Sequence, residues 1–350
     1  MKMGARMRQL DRLMNRPVRL FALLIVGLCL SLPSAAQFRG TPGEGEIRVN
    51  SILMSTLQEA FDTVRDGGII LMGPGTFRMS ATLRTNNVTI LGTKDTWLDG
   101  VAADGKGAIT IKSDNVVIDT VNCRNISVRS RNGACIRHEG GKLLVKNVHF
   151  KDSEQGILSW HKSESVIVED SILENLGATG RSHGLYIDGK RLEVRRTKII
   201  GSKDQGHGIK SRCETTIIER NLIASGDGDD SRLIDISSGG FAVIRDNVLV
   251  EGVNTVNWNI VAYGLEQRKH NTSHIVLERN VIISDRPGGA IFLHLGNYVE
   301  RSDVRDNIFI GEMRFMEKND TWPDGNFFYA TREDFGGLPP SPALPEVTLR

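Results

Sequence analysis

The 350-residue chain has few cysteines, few aromatic residues and no long apolar run. At this length, four cysteines exclude a small scaffold held together by disulfides. A charged fraction of 25% is ordinary for a globular protein, which excludes wholesale disorder. What is abundant is glycine, with 37 residues, and this favours frequent tight turns. The composition therefore predicts one large domain or two ordinary ones with a substantial core.

The first 36 residues have the pattern of a secretory signal peptide. The start of the chain contains six Lys or Arg residues and one Asp. It is followed by an apolar run from Leu20 to Leu32 and by the small residues Ser34 to Ala36. The run is short for a bilayer span, so we predict cleavage before Gln37; the alternative is a retained membrane anchor. Cleavage leaves a slightly acidic chain, which disfavours nucleic-acid binding. We expect a secreted or periplasmic bacterial protein with no membrane association after cleavage.

Three cysteines remain after this cleavage, at positions 123, 135 and 213. Their number is odd, and their spacing matches neither a Cys-x-x-Cys pair nor a zinc cluster. The sequence therefore leaves open whether any of them form a disulfide, and stability is expected to come from the core.

An internal repeat runs through most of the chain. Each copy has an aliphatic residue, two polar residues, often an Asn, and an apolar pair, as in the segments that begin at Ile218, Ile244, Leu277 and Val304. From Ile90 onward, successive copies lie 23 to 28 residues apart, except for one interval of 33 residues before Leu277. This spacing is typical of a solenoid.

The repeat predicts a parallel β-helix of about ten rungs. Val, Ile and Thr dominate the strands, turns rich in Gly, Asn and Asp separate them, and the Leu-x-x-Leu-x-Leu scaffold of leucine-rich repeats is missing. Neighbouring copies would stack about 4.8 Å apart. Recurrent asparagines would then form an internal hydrogen-bonded ladder at Asn221, Asn247, Asn280 and Asn307.

The start of the repeat region predicts a capping helix over residues 56–65, with Ser55 or Thr56 as its N-cap. The helix is followed by Asp66-Gly67, a strand, the segment from Pro74 to Phe77, and a further strand that ends before Gly92. This order resembles the N-terminal cap of the pectate-lyase-like right-handed parallel β-helix superfamily, and the likeness covers about residues 50 to 315. The resemblance implies an all-β fold; the superfamily includes lyases, hydrolases, epimerases, tailspikes and adhesins.

We therefore predict four segments. They are a signal peptide (1–36), an N-terminal lead-in (37–54), the β-helix (55–315) and an irregular C-terminal tail (316–350).

Two strands carry residues that are unusual for a solvated surface. The segment 182–188 aligns with 206–212 at an offset of 24 residues, which matches the repeat. Strand alternation places Tyr186 beside Lys210 and Asp188 beside Arg212, all pointing outward and exposed, with two histidines stacked next to them. We predict catalytic residues Lys210, Arg212, His183, His207 and Tyr186. We predict substrate-binding residues Arg137, Trp160, Asp188, Asp235 and Tyr263 on the same and neighbouring rungs.

This set fits β-elimination on an acidic polysaccharide. Arg212 or Arg137 would bind the uronate carboxylate, Lys210 or a histidine would take the C5 proton, and Tyr186 would protonate the leaving oxygen. The superfamily resemblance implies a Lys and an Arg in such lyases, usually with calcium. No cofactor is evident in the sequence, and no compact acidic cluster marks a calcium site. The sequence leaves open whether the protein uses calcium.

Other interpretations remain. Asp188 and Arg212 would form an ordinary ion pair if the histidines only bind backbone at turns. A hydrolase would use Asp188 and Asp235. Two motifs resemble those of polygalacturonase-type hydrolases: Gly206 to Gly208, and the group of Asp227, Asp229 and Asp230. Their order along the chain is reversed, so a turn or a cation-binding loop fits the aspartates better. A uronan epimerase uses the same proton abstraction, and a non-catalytic glycan-binding protein or adhesin would use Trp160, Tyr186 and Tyr263 as sugar platforms.

Overall fold

The computed structural model describes residues 41–316 and 321–336. The predicted signal peptide lies outside these residues. The described chain has one helix and 33 short strands. The helix is α1 (Leu57–Thr63) and the strands are β1 (Ile47–Val49), β2 (Ile52–Met54), β3 (Ile69–Met72), β4 (Gly75–Phe77), β5 (Ala81–Leu83), β6 (Thr89–Leu91), β7 (Thr96–Asp99), β8 (Gly107–Ile111), β9 (Val116–Asp119), β10 (Asn122–Arg124), β11 (Ala134–His138), β12 (Lys142–Lys146), β13 (His149–Lys151), β14 (Gln155–Ser159), β15 (Ser163–Glu169), β16 (Ile172–Glu174), β17 (Leu185–Ile187), β18 (Gly189–Arg195), β19 (Lys198–Ile200), β20 (Ile209–Ser211), β21 (Thr215–Glu219), β22 (Leu222–Ala224), β23 (Ile234–Ile236), β24 (Gly240–Arg245), β25 (Val248–Glu251), β26 (Asn259–Tyr263), β27 (Ser273–Glu278), β28 (Val281–Ser284), β29 (Ala290–Leu295), β30 (Arg301–Arg305), β31 (Ile308–Ile310), β32 (Met313–Arg314) and β33 (Phe327–Tyr329).

These strands form three sheets that extend along the described solenoid. Sheet 1 has the order β2-β1-β3-β6-β9-β12-β15-β18-β21-β24-β27-β30, sheet 2 contains every third strand from β4 to β31 and ends with β33, and sheet 3 contains every third strand from β5 to β32. From β3 to β32, each coil contributes one strand to each sheet, which gives ten coils in the described chain. The parallel β-helix predicted from the sequence is confirmed.

The register shows why the repeat folds in this way. Leu185, Ile209, Ile234 and Val261 are paired neighbours on four successive strands of sheet 3, and all four are fully buried. Each coil thus places its alternate aliphatic residues on those of the next coil, one interstrand spacing away. Burial of these stacked columns is the main source of stability.

The asparagine ladder is also confirmed. The side-chain amide of Asn221 donates to the side-chain oxygen of Asn247 at 3.0 Å, Asn247 donates to Asn280 at 2.9 Å, and Asn280 donates to Asn307 at 3.0 Å. Asn326 adds a further member, which accepts from Asn307 at 3.1 Å. Since each buried amide also donates to a backbone carbonyl, the ladder satisfies polar groups that would be costly to leave unpaired.

Helix α1 covers the N-terminal end of the core. Its N-cap is Thr56, whose hydroxyl accepts from the backbone N–H of Glu59 at 3.1 Å, while the Glu59 carboxylate accepts from the backbone N–H of Ser55 at 2.6 Å. The pair is similar to a capping box, except that the carboxylate binds the N–H of the residue before the N-cap. The helix ends at Thr63 rather than at the predicted residue 65, because Val64 has extended backbone and turns into the core.

The C-terminal end is more ordered than the sequence predicts. Strand β33 pairs in parallel with β31, so the solenoid continues past residue 315. The Trp322 ring centroid lies 4.5 Å from that of Phe309 and 4.6 Å from that of Phe328. An aromatic cluster therefore packs on the last coil, where we predicted an irregular tail.

Cys123 and Cys135 form a disulfide that joins β10 to β11. Cys213 is free and buried, and burial raises the pKa of its thiol to about 12. In the part of the chain that the structure describes, no helix has the length and apolar character needed to cross a membrane.

Candidate active site

The predicted site lies on the outer face of sheet 3. Tyr186 on β17 pairs in register with Lys210 on β20, which pairs with Asp235 on β23. These three side chains lie on consecutive strands because strand alternation points Leu185 and Ile209 into the core and their neighbours outward. The predicted neighbourhood of Tyr186 and Lys210 is confirmed.

The two histidines stack as predicted. Their ring centroids are 4.7 Å apart and their planes differ by 7°. His183 Nδ1 accepts a hydrogen bond from the backbone N–H of His207 at 3.0 Å, so it carries no proton. Burial lowers the pKa of both rings, strongly that of His183, where neighbouring positive charge adds to the effect; at His207 the hydrogen bond to Asp235 opposes it. Both histidines are therefore neutral at pH 7.

A buried carboxylate links the cations of this face. Asp235 Oδ2 lies 3.2 Å from His207 Nε2, 3.6 Å from Arg232 Nη1 and 3.8 Å from Lys210 Nζ. Burial would raise the pKa of Asp235, but the hydrogen bond from His207 and these positive charges hold it well below its usual range. Asp235 is therefore ionised and orients His207 and Lys210. Arg232, which the sequence did not suggest, belongs to this group.

The loop between β26 and β27, residues 264–272, folds back over the same face. Glu266 Oε1 accepts from Lys210 Nζ at 2.7 Å, and Glu266 Oε2 accepts from Arg212 Nη2. Lys269 Nζ donates to Asp188 Oδ2 at 2.6 Å. One loop thus contacts residues 54 to 81 positions earlier in the chain. It lies within the one long interval of the repeat, which is the sequence signal that marks it as an insertion.

This loop corrects two expectations. Lys210 was expected to be exposed, but only 8% of its surface is accessible, since it lies between Asp235 and Glu266. An ion pair between Asp188 and Arg212 was the alternative interpretation, but in the described structure Asp188 binds Lys269 and Arg212 binds Glu266.

Three predicted substrate-binding residues lie apart from this cluster. Tyr263 was expected on the surface, but it is fully buried and its hydroxyl donates to a backbone carbonyl, because its position in β26 points inward. Arg137 lies two strands before Tyr186, close to Glu139 at 3.2 Å. Trp160 is 39% exposed, just beyond the end of β14.

Tyr186 contacts the cationic residues directly. The Arg212 guanidinium carbon lies 5.4 Å and the Lys210 ammonium 5.8 Å from its ring centroid. Burial raises the pKa of its hydroxyl, so this group is protonated at neutral pH. The cluster therefore offers cations for a carboxylate, neutral imidazoles and one protonated phenol within a small area.

Within residues 41–316 and 321–336, no group of three or more His, Cys, Asp and Glu side chains has an arrangement that could hold a metal ion. The cationic cluster around Lys210 is also unsuited to calcium, which takes oxygen ligands.

No protein-family model and no curated protein matches the chain. Solved structures of PL6-family alginate lyases are similar to it. One, the lyase AlyGC, has a TM-score of 0.36 and 11% identity, and a mutant of AlyGC has a TM-score of 0.38 and 12% identity; each match covers 77% of this chain and 51% of the lyase. A third, in complex with a trisaccharide, has a TM-score of 0.31 and 11% identity over 87% of this chain and 95% of that protein. The chain spans about half the length of AlyGC.

Proposed function

We propose that the protein is a polysaccharide lyase that cleaves an acidic polymer by β-elimination at the cluster around Lys210. The observation that carries this proposal is that Lys210 and Arg212 converge on a single carboxylate, that of Glu266. Two cations aimed at one carboxylate form a site that suits a uronate group.

β-Elimination needs this arrangement because removal of the C5 proton moves negative charge onto the uronate carboxylate. In the proposed complex, the substrate carboxylate displaces Glu266 and binds Lys210 and Arg212. The cations then stabilise the enolate that forms. Arg137 is too far along the sheet for this role, so of the two arginines considered from the sequence, Arg212 is the better candidate.

Since Lys210 binds the substrate carboxylate as a cation, the C5 proton goes to His207, whose Nε2 donates to Asp235 and whose Nδ1 therefore has a free lone pair. Burial keeps His207 neutral and Asp235 orients it, whereas His183, whose Nδ1 accepts the backbone N–H of His207, positions its neighbour. Tyr186 is suited to protonate the departing glycosidic oxygen, since its hydroxyl retains its proton at neutral pH. All five predicted catalytic residues thus have a role in the proposal, with His183 acting as a positioning residue together with Arg232 and Asp235.

The hydrolase alternative is less well supported. It requires one carboxylic acid that stays protonated and a second, ionised carboxylate. Asp235 is held ionised by the hydrogen bond from His207 and the positive charges of Lys210 and Arg232, and Asp188 is paired with Lys269. A non-catalytic glycan-binding protein would still use the exposed ring of Trp160.

The decisive experiment uses purified protein with alginate, pectate and glycosaminoglycans. The proposal predicts ultraviolet absorbance from an unsaturated uronate product, and a loss of this signal in Lys210→Ala but not in Lys198→Ala on the outer face of sheet 2. New reducing ends without this absorbance would show a hydrolase. Binding without either signal would show a glycan-binding protein, and a change in the polymer's proton NMR spectrum without cleavage would show an epimerase; each of these outcomes overturns the proposal.

We also propose that the protein acts outside the cytoplasm. The signal-peptide pattern of residues 1–36 and the Cys123 to Cys135 disulfide support this location, because disulfides persist in oxidising compartments. N-terminal sequencing of the protein from the producing cell tests it, and a chain that starts at Gln37 is expected.

A further inference from the structure

A second group of acidic residues lies inside the solenoid, away from the outer face of sheet 3. Asp230 and Glu251 are both fully buried. Among the described residues, Asp230 Oδ1, both carboxylate oxygens of Glu251 and the hydroxyl of Ser284 have no hydrogen-bond partner. Buried polar atoms without partners are rare and costly, so four of them at one place require an explanation.

The strand register brings these atoms together. Glu251 ends β25 and pairs with Ser284 at the end of β28. On the other side, Ser225 follows β22; its backbone N–H donates to the carbonyl of Val250 at 2.9 Å, and its hydroxyl donates to Asp230 Oδ2 at 3.1 Å. Ser225, Glu251 and Ser284 thus occupy equivalent positions on three successive coils, with Asp230 held against the first of them.

In the described structure no cation lies within ion-pair distance of Asp230 or Glu251, although the positive charges of Arg286 and Arg232 act on Glu251. The guanidinium of Arg232 lies 3.6 Å from Asp235 instead, and that of Arg286 lies over the ring of Trp258 at 5.0 Å and donates to a backbone carbonyl. The hydroxyl of Thr255 is also committed, to the backbone carbonyl of Asp230 at 3.1 Å. Among the described residues, the two buried carboxyl groups of Asp230 and Glu251 therefore have no cation in contact with them.

We propose that Asp230 and Glu251 bind a divalent cation of the calcium class, with the hydroxyls of Ser225 and Ser284 as further ligands. Hard divalent cations take carboxylate and hydroxyl oxygens, and two carboxylates match the charge of one such ion. The ion would satisfy the orphaned oxygens and tie three coils together through their stacked side chains. This site is independent of the proposed lyase activity.

A proton is the competing occupant. Burial raises the pKa of Asp230 to about 7, and burial together with the nearby Asp230 raises that of Glu251 to about 8. The experiment must therefore distinguish a bound ion from a protonated pair.

The test measures calcium binding and thermal unfolding of the full protein after treatment with a chelator. Isothermal titration calorimetry with CaCl₂ should show one site, and saturating calcium should raise the melting temperature by about 3 °C or more. Glu251→Gln should abolish both effects, and Ser284→Ala, which keeps both carboxylates, should weaken binding by about tenfold. Asp227→Asn, an exposed acid in the same turn, should change neither.

Two results would overturn the site. One is an absence of calcium binding by the wild-type protein together with a higher melting temperature of Glu251→Gln above pH 8, which shows that the pair is stabilised by protons. The other is calcium binding that Asp227→Asn removes and Glu251→Gln retains, which places the ion on the exposed turn. Neither readout depends on lyase activity, so failure of the enzyme assay leaves this test unaffected.

Discussion

The Glu266 carboxylate lies 2.7 Å from the ammonium of Lys210, although the two residues are 56 positions apart in the chain. Glu266 is 37% exposed in its side chain, whereas Lys210 lies beneath it. The same carboxylate also binds Arg212. A partly exposed acid thus occupies the place that we assign to the substrate carboxylate, and the two must compete.

Glu266→Gln should therefore improve substrate binding. The variant keeps the shape of the side chain but removes the charge that competes with the polymer, so we expect a KM about three- to tenfold lower in steady-state kinetics. Glu214→Gln, an exposed acid just before β21, is the matched control and should leave KM unchanged. An unchanged KM for Glu266→Gln would show that Glu266 does not compete with the substrate, and a higher KM would show that it helps to bind the substrate.

Replacement of Lys210 and replacement of Arg212 should have similar effects on activity but different effects on stability. Replacement of either by Ala should lower turnover by about 10²- to 10⁴-fold, through loss of carboxylate binding and of enolate stabilisation. Since Lys210 is buried against Asp235, Lys210→Ala should also cost about 1–3 kcal/mol in chemical denaturation, more than Arg212→Ala. Full activity in both variants would move the active site to another face.

Asn247→Leu should disrupt the ladder. The variant removes the amide that donates to Asn280 and to the carbonyl of Ile218, and it leaves donors of Asn221 without their acceptor. We expect a loss of about 2–4 kcal/mol in the free energy of unfolding. The same change at the exposed Asn254 should stay within about 0.5 kcal/mol, and equal melting temperatures of the two variants would contradict the ladder's importance.

The buried histidines predict acid sensitivity. His183 and His207 have lowered pKa values in the fold, whereas an unfolded histidine titrates near pH 6.5. Below about pH 6.5, the unfolded state thus binds more protons than the folded state, and stability falls as the pH drops. Denaturation measured at pH 7.5 and 5.5 should show this loss, and the double variant His183→Gln, His207→Gln should lose less stability between the two values.

The regular part of the molecule could be predicted from the sequence because the repeat expresses it directly. Columns such as Leu185 and Ile209 follow from strand alternation, and the ladder follows from the recurrence of Asn247 and Asn280. The stack of His183 on His207 follows from the same 24-residue offset. Each of these depends only on interactions between adjacent coils.

The rest of the site depends on contacts that no repeat encodes. Glu266 and Lys269 reach the site through a loop that crosses two or three coils, and its path is set by tertiary packing. The inward direction of Tyr263 was missed because alternation was carried into β26 with the wrong phase, and a slip of one residue reverses every side chain. For the tail, Asn326 matches the ladder, but it lies only 19 residues after Asn307 and so escapes the period.

The aromatic cluster of Trp322 and Phe328 sets where the growth of the solenoid stops. A parallel β-helix ends in open strand edges that accept further strands, from the same chain or from another molecule. Strand β33 already occupies the edge of β31, and Trp322 covers the last coil. Removal of residues 321–336 would expose the edge of β31 and the last coil. The shortened protein would then be prone to end-to-end association into filaments rather than to simple unfolding.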